Sequence, residues 1–513
     1  MEPFKEYASF DAVGLAQLVK QGAVRPLELV EAAASRIDEI NPAINAVIWD
    51  RLDAARVEAD AADQTGPFAG VPILIKDLVV EKGIPVTFGS VFFRDYVGDT
   101  TSEFRHRING AGFIDLGRTN TPEFGLLPTT EPVLHGPTRN PWDLNRSAGG
   151  SSGGAAAAVA AGIVPLAQGS DGGGSIRIPA SATGLFGLKP SRGRNPRRPG
   201  SSIDYLSVEH ALTRTVRDSA AFLDAVHGPV PGDRYWSPPP SGPFAEAVTR
   251  DPERLRIAFS TRDFRGDRVH PECEAAVLDT ATLLDGLGHD IVEAEPDVDG
   301  ALLADAFFEI WAALAATAFG LVLEGVSELK PAVGRIRRYA GDRRTMRLIS
   351  RFDQRESGKP AFEPFTFGLA DRSRSRSQVD LLGAEAALQS IAHQTGAFLV
   401  DYDLFLTPVL GSPPVPLGRI DQNLPWNEFV EMIFRYVAFT PLGNFAGLPA
   451  MSVPIHWTSD GLPVGSHFLG RFGAEETLFS LAGQLERAQP WANLRPDIKE
   501  QAASFKMQAS SRK

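Results

Sequence analysis

The chain has 513 residues, of which 43% are hydrophobic and 22% are charged, a composition typical of a folded globular protein. Its 51 basic and 63 acidic residues give a formal net charge of −12, which disfavours binding to the phosphate backbone of nucleic acids. The single cysteine, Cys273, excludes an internal disulfide and a thiolate metal site, so a cytoplasmic location is expected. No secretory signal pattern opens the sequence, and no apolar stretch reaches the roughly 18 residues of a membrane span.

The first recognisable elements are two amphipathic helices over residues 9–48, where apolar residues recur at helical spacing and Gly22 and Pro26 interrupt the pattern. Beyond residue 65, short apolar strands alternate with helical segments. This alternation is typical of β-α-β units and predicts an α/β fold with a largely parallel sheet. The predicted strands are 71–77, 112–116, 163–167, 255–259 and 289–293, and the predicted helices are 155–161, 272–287 and 301–322.

Three other segments have distinctive compositions but indicate no chemistry. Residues 229–243 are rich in proline and glycine and predict a linker or surface excursion. Residues 335–351 contain seven arginines, and the acidic chain as a whole favours a solvated helix face with ion pairs. A proline- and glycine-rich loop carries four more arginines. Neither basic cluster is interleaved with aromatic residues, which argues against nucleic-acid binding. The four loop arginines are Arg192, Arg194, Arg197 and Arg198.

Two glycine-rich loops each contain a serine, Ser151 within GGSSGG and Ser175 within GGGSIR. Glycine leaves backbone N–H groups uncovered, so such loops can surround an anion with hydrogen-bond donors. A serine in that position has an oxyanion site beside its own hydroxyl. Tight structural turns would explain one such loop, but two loops separated by only one helix and one strand favour a catalytic interpretation.

A serine hydroxyl needs a base to become a nucleophile, and no histidine lies within either loop. His135 and His210 are the nearest candidates, and neither has a clear acidic partner pattern. Lys76 stands at the end of a buried apolar strand, where desolvation would lower its pKa and allow the neutral amine to act as a base. The alternative is a structural lysine paired with Asp77.

These motifs together resemble the amidase signature family. The matching blocks span about residues 65–220 and 440–490, and their spacings are fixed over a long stretch. The residues that carry the resemblance are GVPILIKD at 70–77, GGSSGG at 149–154, GSDGGGSIRIP at 169–179, GLFGLKP at 184–190, TRTVRD at 213–218 and NFAGLPAMSVP at 444–454.

The resemblance implies a single large α/β domain, with a twisted mixed β-sheet covered by helices on both faces. We therefore expect an N-terminal helical segment over 1–64, an amidase domain over 65–495 and a polar tail over 496–513. Within the domain we expect a signature core at about 65–220, a variable pocket region at about 230–435 and a C-terminal core at about 436–495. The expected pocket segments are 123–132, 306–319 and 427–445, with Phe307, Phe308, Trp311, Trp426 and Phe434 as candidate apolar walls.

The catalytic set implied by the resemblance is Lys76, Ser151 in a cis peptide, and Ser175 as the nucleophile. The separation of 24 residues between the two serines matches the family and selects Ser151 over Ser152. The implied reaction is metal-independent amide hydrolysis through an acyl-enzyme, with no cofactor and with a small-molecule substrate. The residues implied to donate to the oxyanion are Gly172, Gly173, Gly174 and Ser175, and those implied to orient the loops are Ser152, Asp171 and Arg177.

The sequence departs from many family members at Gly172, where threonine is common. The resulting DGGGS sequence is similar to a branch whose hydrolases open nylon-type cyclic amides such as the 6-aminohexanoate cyclic dimer. Small apolar, aryl, cyclic or oligomeric amides are therefore candidate substrates, with carbamates and esters as alternatives. The sequence does not distinguish among these substrates, and it leaves the oligomeric state open, with a homodimer as one alternative.

Three other interpretations also fit parts of the sequence. GGSSG also fits the nucleophile elbow of α/β-hydrolases, but that motif requires a preceding strand, whereas PWDLNRSA predicts a loop. The chain could instead be the amidase subunit of a transfer-RNA-dependent amidotransferase, or a catalytically silent relative. The acidic charge disfavours the former, and the intact Lys76, Ser151 and Ser175 disfavour the latter. No sequence motif indicates metal hydrolysis or phosphate-loop chemistry.

Overall fold

The computed structural model describes residues 4–61, 65–196, 206–325, 358–498 and 500–501. Within these residues an eleven-stranded mixed sheet is flanked by helices, and a separate two-stranded sheet lies outside it. The strands are β1 Val47–Asp50, β2 Pro72–Lys76, β3 Ile114–Thr119, β4 Arg139–Asn140, β5 Asp143–Ser147, β6 Leu166–Asp171, β7 Phe186–Lys189, β8 Val208–Thr213, β9 Arg256–Phe259, β10 Asp290–Glu293, β11 Leu404–Pro408, β12 Ala450–Trp457 and β13 Pro463–Gly470.

The helices occupy the connections between these strands, and three further 3₁₀ turns lie at Tyr7–Ser9, Val91–Phe93 and Glu123–Gly125. The helices are α1 Ala12–Lys20, α2 Pro26–Ile44, α3 Leu52–Asp60, α4 Glu103–Gly110, α5 Gly153–Ala160, α6 Arg177–Thr183, α7 Val216–Val226, α8 Phe244–Val248, α9 Pro271–Gly286, α10 Gly300–Gly325, α11 Pro364–Arg374, α12 Gln378–Asp401, α13 Trp426–Tyr436, α14 Pro441–Phe445 and α15 Glu475–Ala488. The predicted α/β fold is confirmed.

The prediction of a largely parallel sheet is wrong. The strand order is β1-β3-β2-β6-β8-β7-β12-β13-β11-β9-β10. Parallel pairing is limited to β3-β2-β6 on one side and β11-β9-β10 on the other. The central strands pair antiparallel, because β12 and β13 form a hairpin across residues 458–462 and β8 runs against both β6 and β7. The mixed sheet implied by the family resemblance is therefore the correct description.

Two local predictions also differ from the structure. Residues 143–147 were predicted as loop, but they form β5, which pairs with β4 outside the main sheet. Strand β6 begins at Leu166 and continues to Asp171, past the predicted end at residue 167. The extension is polar, so hydrophobic patterning did not reveal it. Its side chains serve the site described below.

The hydrophobic core continues from the N-terminal helices into the sheet. Leu15 and Leu29 belong to the same buried cluster as Ile75 of β2, Leu116 of β3 and Ala156 of α5. A second cluster covers β7, β12 and β13 with α7, α8 and α15. A third joins α10, α11 and α13 beside the carboxyl end of β6. The domain division at residue 65 stays a prediction.

The remaining sequence segments are only partly within the described residues. Residues 229–243 form neither helix nor strand, and Trp236 within them is 60% exposed, as expected for a surface excursion. Arg192 donates to backbone carbonyls at 444 and 445, and Arg194 forms a buried ion pair with Glu475. Arg197, Arg198, the arginine-rich segment 335–351 and most of the C-terminal tail lie outside the described residues. No helix in the described ranges is long and apolar enough to cross a membrane.

Candidate active site

Lys76 lies at the carboxyl end of β2, and its side chain is completely buried. Its Nζ lies 2.8 Å from the Oγ atoms of both Ser151 and Ser152 and 3.1 Å from Ser170 Oγ. Among the described residues, no carboxylate forms an ion pair with this lysine. The alternative pairing with Asp77 is wrong, since the Asp77 carboxylate instead accepts hydrogen bonds from Thr87.

The pKa of Lys76 is determined mainly by the burial of its side chain. Burial lowers the pKa of Lys76 to about 7, although the negative charges of Asp171 and Glu209 oppose the change. A substantial fraction of the amine is therefore neutral near neutral pH. A neutral amine has two N–H donors and one lone pair, so it can accept a proton from a hydroxyl as well as donate.

The first serine loop connects β5 to α5 and brings Ser151 to Lys76. The peptide bond between Gly150 and Ser151 is cis, as the resemblance implies, and the side chain of Ser151 is almost completely buried. Ser152 immediately precedes α5 and contacts strand β6, where its Oγ donates to the Ser170 carbonyl over 3.2 Å. Since the Ser152 proton is used there, Ser152 accepts the hydrogen bond from Lys76.

The second serine loop follows β6 and carries Ser175 immediately before α6. The backbone N–H of Ser152 donates to the Ser175 carbonyl over 3.3 Å, which joins the two serine loops. Ser175 is 9% exposed and lines a pocket, whereas Ser151 is 2% exposed. Of the two serines, Ser175 is therefore the one that a small molecule in the pocket can reach.

The carboxylate of Asp171 holds the Ser175 loop in position through hydrogen bonds. It accepts backbone N–H bonds from Gly174 at 2.8 Å and from Ile176 at 3.2 Å. The Arg177 guanidinium binds the same carboxylate through two nitrogens, each at 2.9 Å. Although burial opposes ionisation, Arg177 and Lys189 hold the pKa of Asp171 well below its usual range. Asp171 and Arg177 thus occupy the loop-orienting positions that the resemblance implies.

The oxyanion prediction needs one correction, at Gly174. Its N–H donates to Asp171, so this amide is engaged within the protein and is not free to bind an oxyanion in this structure. Residues in the described ranges accept no hydrogen bond from the backbone N–H of Gly172, Gly173 or Ser175. These three amides remain the predicted donors, and the role of Gly174 is to shape the loop.

Residues far along the chain complete the support of this loop. Thr440 donates to the Gly173 carbonyl over 2.7 Å and lies so close that a Cβ at Gly174, whose φ is +131°, would come within 2.2 Å of its Oγ1. Asn444 donates to Asp171 and accepts from Arg177. A third contact comes from His467, whose Nε2 lies 2.9 Å from Arg177 Nη1. Because arginine can only donate, this imidazole nitrogen is the acceptor.

Sequence reasoning missed several of these contacts. Ser170 was not singled out, although it and Gln168 are polar residues two apart on a buried strand and both reach Lys76. That spacing, which places the two on one face of β6, was the available signal. Thr440 and His467 had no comparable signal, because their partners are more than 250 residues away in sequence.

Beside Ser175 lies a pocket that is open to solvent, with about 520 Å³ of space between protein atoms when the adjoining solvent is included. The three predicted segments contribute to it, together with residues of the signature block 169–179, and its role in binding substrate stays a prediction. Among the candidate wall residues Trp426 is an exception, since it packs against Phe308 and Phe365 behind the wall. Gly173, Ile178 and Phe365 were not predicted. The remaining lining residues are Gly125, Leu126, Leu127, Pro128, Ser175, Phe307, Phe308, Trp311, Ile433, Phe434, Val437 and Pro441.

The histidine alternatives lie elsewhere in the described structure. His135 contacts Thr87, and His210 contacts Ser219. Although β5 does precede Ser151, the hydroxyl of this serine is hydrogen-bonded to a lysine rather than to a histidine, unlike the α/β-hydrolase arrangement. Across the described residues, no three His, Cys, Asp or Glu side chains are grouped so as to hold a metal ion.

Comparison with known proteins gives a consistent result. The family model described as Amidase matches residues 28–479. A 6-aminohexanoate-cyclic-dimer hydrolase of Paenarthrobacter ureafaciens is 37% identical over 503 residues, which cover 95% of this chain and 96% of the relative. A solved structure of a 6-aminohexanoate cyclic dimer hydrolase superposes with a TM-score of 0.83 at 34% identity and covers 96% of this chain and 99% of its own.

A second solved structure extends the comparison to another substrate class. A bacterial aryl acylamidase of the amidase signature family superposes with a TM-score of 0.81 at 28% identity, covering 94% of this chain and 97% of its own. The similarity to these proteins therefore extends over nearly the whole chain, including the pocket region outside the signature blocks.

Proposed function

Because this chain belongs to the amidase signature family and is a hydrolase of non-peptide C–N bonds, we propose that it cleaves carboxylic amides through an acyl-enzyme on Ser175. The observation that carries the proposal is the buried Lys76 amine, 2.8 Å from Ser151 Oγ and without a carboxylate partner among the described residues. Such a lysine can be neutral at neutral pH and can act as a base.

In the acylation step, the Ser175 Oγ attacks the amide carbonyl carbon. As it attacks, Ser175 gives its proton to Ser151, and Ser151 gives its own proton to neutral Lys76. The resulting oxyanion is stabilised by the backbone N–H groups of Gly172, Gly173 and Ser175. The C–N bond then breaks. The leaving nitrogen takes a proton from Ser151, which is reprotonated by Lys76, so the relay returns to its starting state.

Deacylation uses the same groups with water in place of the amine. Water attacks the Ser175 ester while its proton passes through Ser151 to Lys76. The C–O bond to Ser175 breaks, and Ser175 recovers a proton through the relay as the carboxylic acid leaves. Small uncharged amides, including aryl and cyclic amides, are the proposed substrates, because the two relatives named for such amides share the fold and the pocket adjoining Ser175 is apolar.

Covalent labelling tests this proposal. A fluorophosphonate should modify Ser175 and abolish hydrolysis of a simple anilide by the purified single chain, with Ser175→Ala as the unlabelled control. Peptide mass spectrometry would locate the adduct. An adduct on Ser151 with Ser175 unmodified would contradict the assignment of the nucleophile. A complete lack of hydrolysis without partner chains would instead favour the amidotransferase-subunit alternative.

The pH dependence of kcat/KM is a separate prediction. Since protonated Lys76 has no lone pair, kcat/KM should rise as pH increases through about 7 and level off above it. Lys189 provides a matched control, because it is equally buried, burial likewise lowers its pKa to about 7, and its Nζ donates to the Pro190 carbonyl. Lys189→Met should keep the same midpoint. If the midpoint disappeared in Lys189→Met, the titration would belong to Lys189 and not to Lys76.

A further inference from the structure

The pocket wall nearest the oxyanion loop is a stacked aromatic pair. The rings of Phe307 and Trp311, both on α10, have centroids 5.3 Å apart and planes inclined by 21°. The pair lies directly against glycine backbone. A Cβ at Gly172 would come within 3.2 Å of the Trp311 ring, and a Cβ at Gly173 within 3.4 Å of the Phe307 ring. The indole therefore occupies space that a side chain at position 172 would need.

The backbone at Gly172 does not itself require glycine, because its φ lies outside the left-handed region. The space around it is what disfavours a side chain: a Cβ contact of 3.2 Å is tighter than ordinary packing, so a side chain at position 172 would require the Trp311 ring to shift by a few tenths of an ångström. The glycine at position 172 thus leaves room for the Trp311 ring that packs against it.

The pocket chemistry indicates what binds against this wall. Apart from the hydroxyl of Ser175, the described residues that line it are apolar, aromatic or glycine. A charged substituent would lose its hydration there without gaining an ionic partner, which is costly. A flat uncharged ring would bury apolar surface against Trp311 and gain the additional stabilisation of aromatic contact.

The geometry also distinguishes the two sides of the amide. The leaving nitrogen must face Ser151, because that residue supplies its proton in the proposed relay. Among the described residues that line the pocket, Gly125 adjoins Ser151, because a Cβ at Gly125 would lie 3.2 Å from Ser151 Oγ. Phe307 and Trp311 instead adjoin Gly173 and Gly172 of the oxyanion loop. The leaving nitrogen therefore belongs at the Gly125 side, and the group that contacts Trp311 is the one on the opposite side of the carbonyl carbon from the nitrogen, which is the acyl group.

We infer that the pocket selects amides with an uncharged, planar acyl group, and that Trp311, seated on Gly172, determines this specificity. The inference rests on the proposed function, since it assigns the acyl side from the direction of the Ser151 proton transfer. It adds a substrate class and a specificity-determining pair to that function.

The first test uses p-nitroanilides that share one leaving group and differ in the acyl group: acetyl, benzoyl and 4-carboxybenzoyl. We expect the wild-type kcat/KM for benzoyl to exceed that for acetyl and for 4-carboxybenzoyl by about 10-fold or more. Trp311→Ala should reduce the ratio of kcat/KM for benzoyl to kcat/KM for acetyl by about 10- to 100-fold, mostly through the KM for benzoyl, and any change common to both substrates cancels in this ratio. Trp311→Phe should retain much of the preference, because it keeps a planar ring.

The second test is a double-mutant cycle between the two positions. Gly172→Thr should displace the indole and reduce the benzoyl preference, but it should have little further effect in Trp311→Ala, where the space is already vacant. Coupling of this kind is the signature of direct contact, whereas independent sites give additive effects. Fluorophosphonate labelling of Ser175 and the unfolding midpoint verify that each variant is folded, and the preference is compared as a ratio so that a common loss of turnover cancels. Trp236→Ala, on the exposed 229–243 segment, controls for the loss of any tryptophan.

The outcomes separate the inference from the function on which it rests. Equal hydrolysis of the benzoyl and 4-carboxybenzoyl anilides, or additive effects in the cycle, would overturn the inference and leave amide hydrolysis at Ser175 in place. If wild type hydrolysed none of the anilides and Ser175 remained unlabelled, the proposed function would fail and the inference with it.

Discussion

Lys76→Arg should lower the rate of enzyme acylation by a factor of about 10² to 10⁴ or more, although the substitution keeps a long cationic side chain. Guanidinium remains protonated at every pH at which the protein is folded, so it cannot accept the Ser151 proton. Lys76→Met should be at least as damaging, because it removes the nitrogen altogether. Burst kinetics with an activated anilide would measure the acylation step directly.

The methionine variant also separates catalysis from stability. Burial lowers the pKa of Lys76 to about 7, so the native site disfavours the charged form, and an apolar side chain of similar volume should be tolerated. We therefore expect Lys76→Met to lose turnover while it remains folded under assay conditions, with an unfolding midpoint lowered only by the loss of the Nζ hydrogen bonds to the three serines. Turnover of Lys76→Arg within tenfold of wild type at neutral pH would show that the lysine is structural and that the relay is wrong.

The parts of this molecule that sequence could predict are those defined by local patterns. Helix α5 and strand β2 follow from runs of apolar residues of the right length, and the two serine loops follow from clustered glycine. Lys76 was recognisable as a candidate because it is an ionisable residue at the end of a fully apolar strand, although a structural lysine explained that position as well until the two serine loops were considered. Its placement against Ser151 needed the family resemblance, since 75 residues separate the two.

The features that sequence did not predict depend on pairing across long separations. Strand β6 pairs parallel with β2 and antiparallel with β8, and its buried residues are compatible with either direction. The Ser175 loop is supported by one polar side chain, that of Thr440, which lies immediately before α14. Nothing in the local sequence distinguishes this threonine from any other residue that precedes a helix. The engagement of the Gly174 amide by Asp171 could not be inferred from a GSDGGGS sequence in which every glycine offers the same N–H group.

Asp171→Asn should reduce kcat by about 10² to 10³, a loss comparable to that of an oxyanion donor, although Asp171 is completely buried and does not line the pocket. The asparagine side chain has one oxygen where the carboxylate has two, so it cannot accept from Gly174 and Ile176 while also binding both nitrogens of Arg177. The loop would then lose the contacts that hold its free amides in position. Because the effect is on transition-state stabilisation, kcat should fall more than KM changes.

The same substitution leaves the Arg177 guanidinium buried without its anion, which should destabilise the fold by about 3 to 5 kcal/mol. Glu475→Gln is the matched control, because it breaks another buried ion pair, with Arg194 at 2.8 Å, and another backbone contact, from the Ser191 N–H, away from the serine loops. Both variants should unfold at lower denaturant concentration than wild type, but only Asp171→Asn should lose turnover below its unfolding transition. Equal losses of kcat in the two variants would show that activity follows general stability and not the geometry of the Ser175 loop.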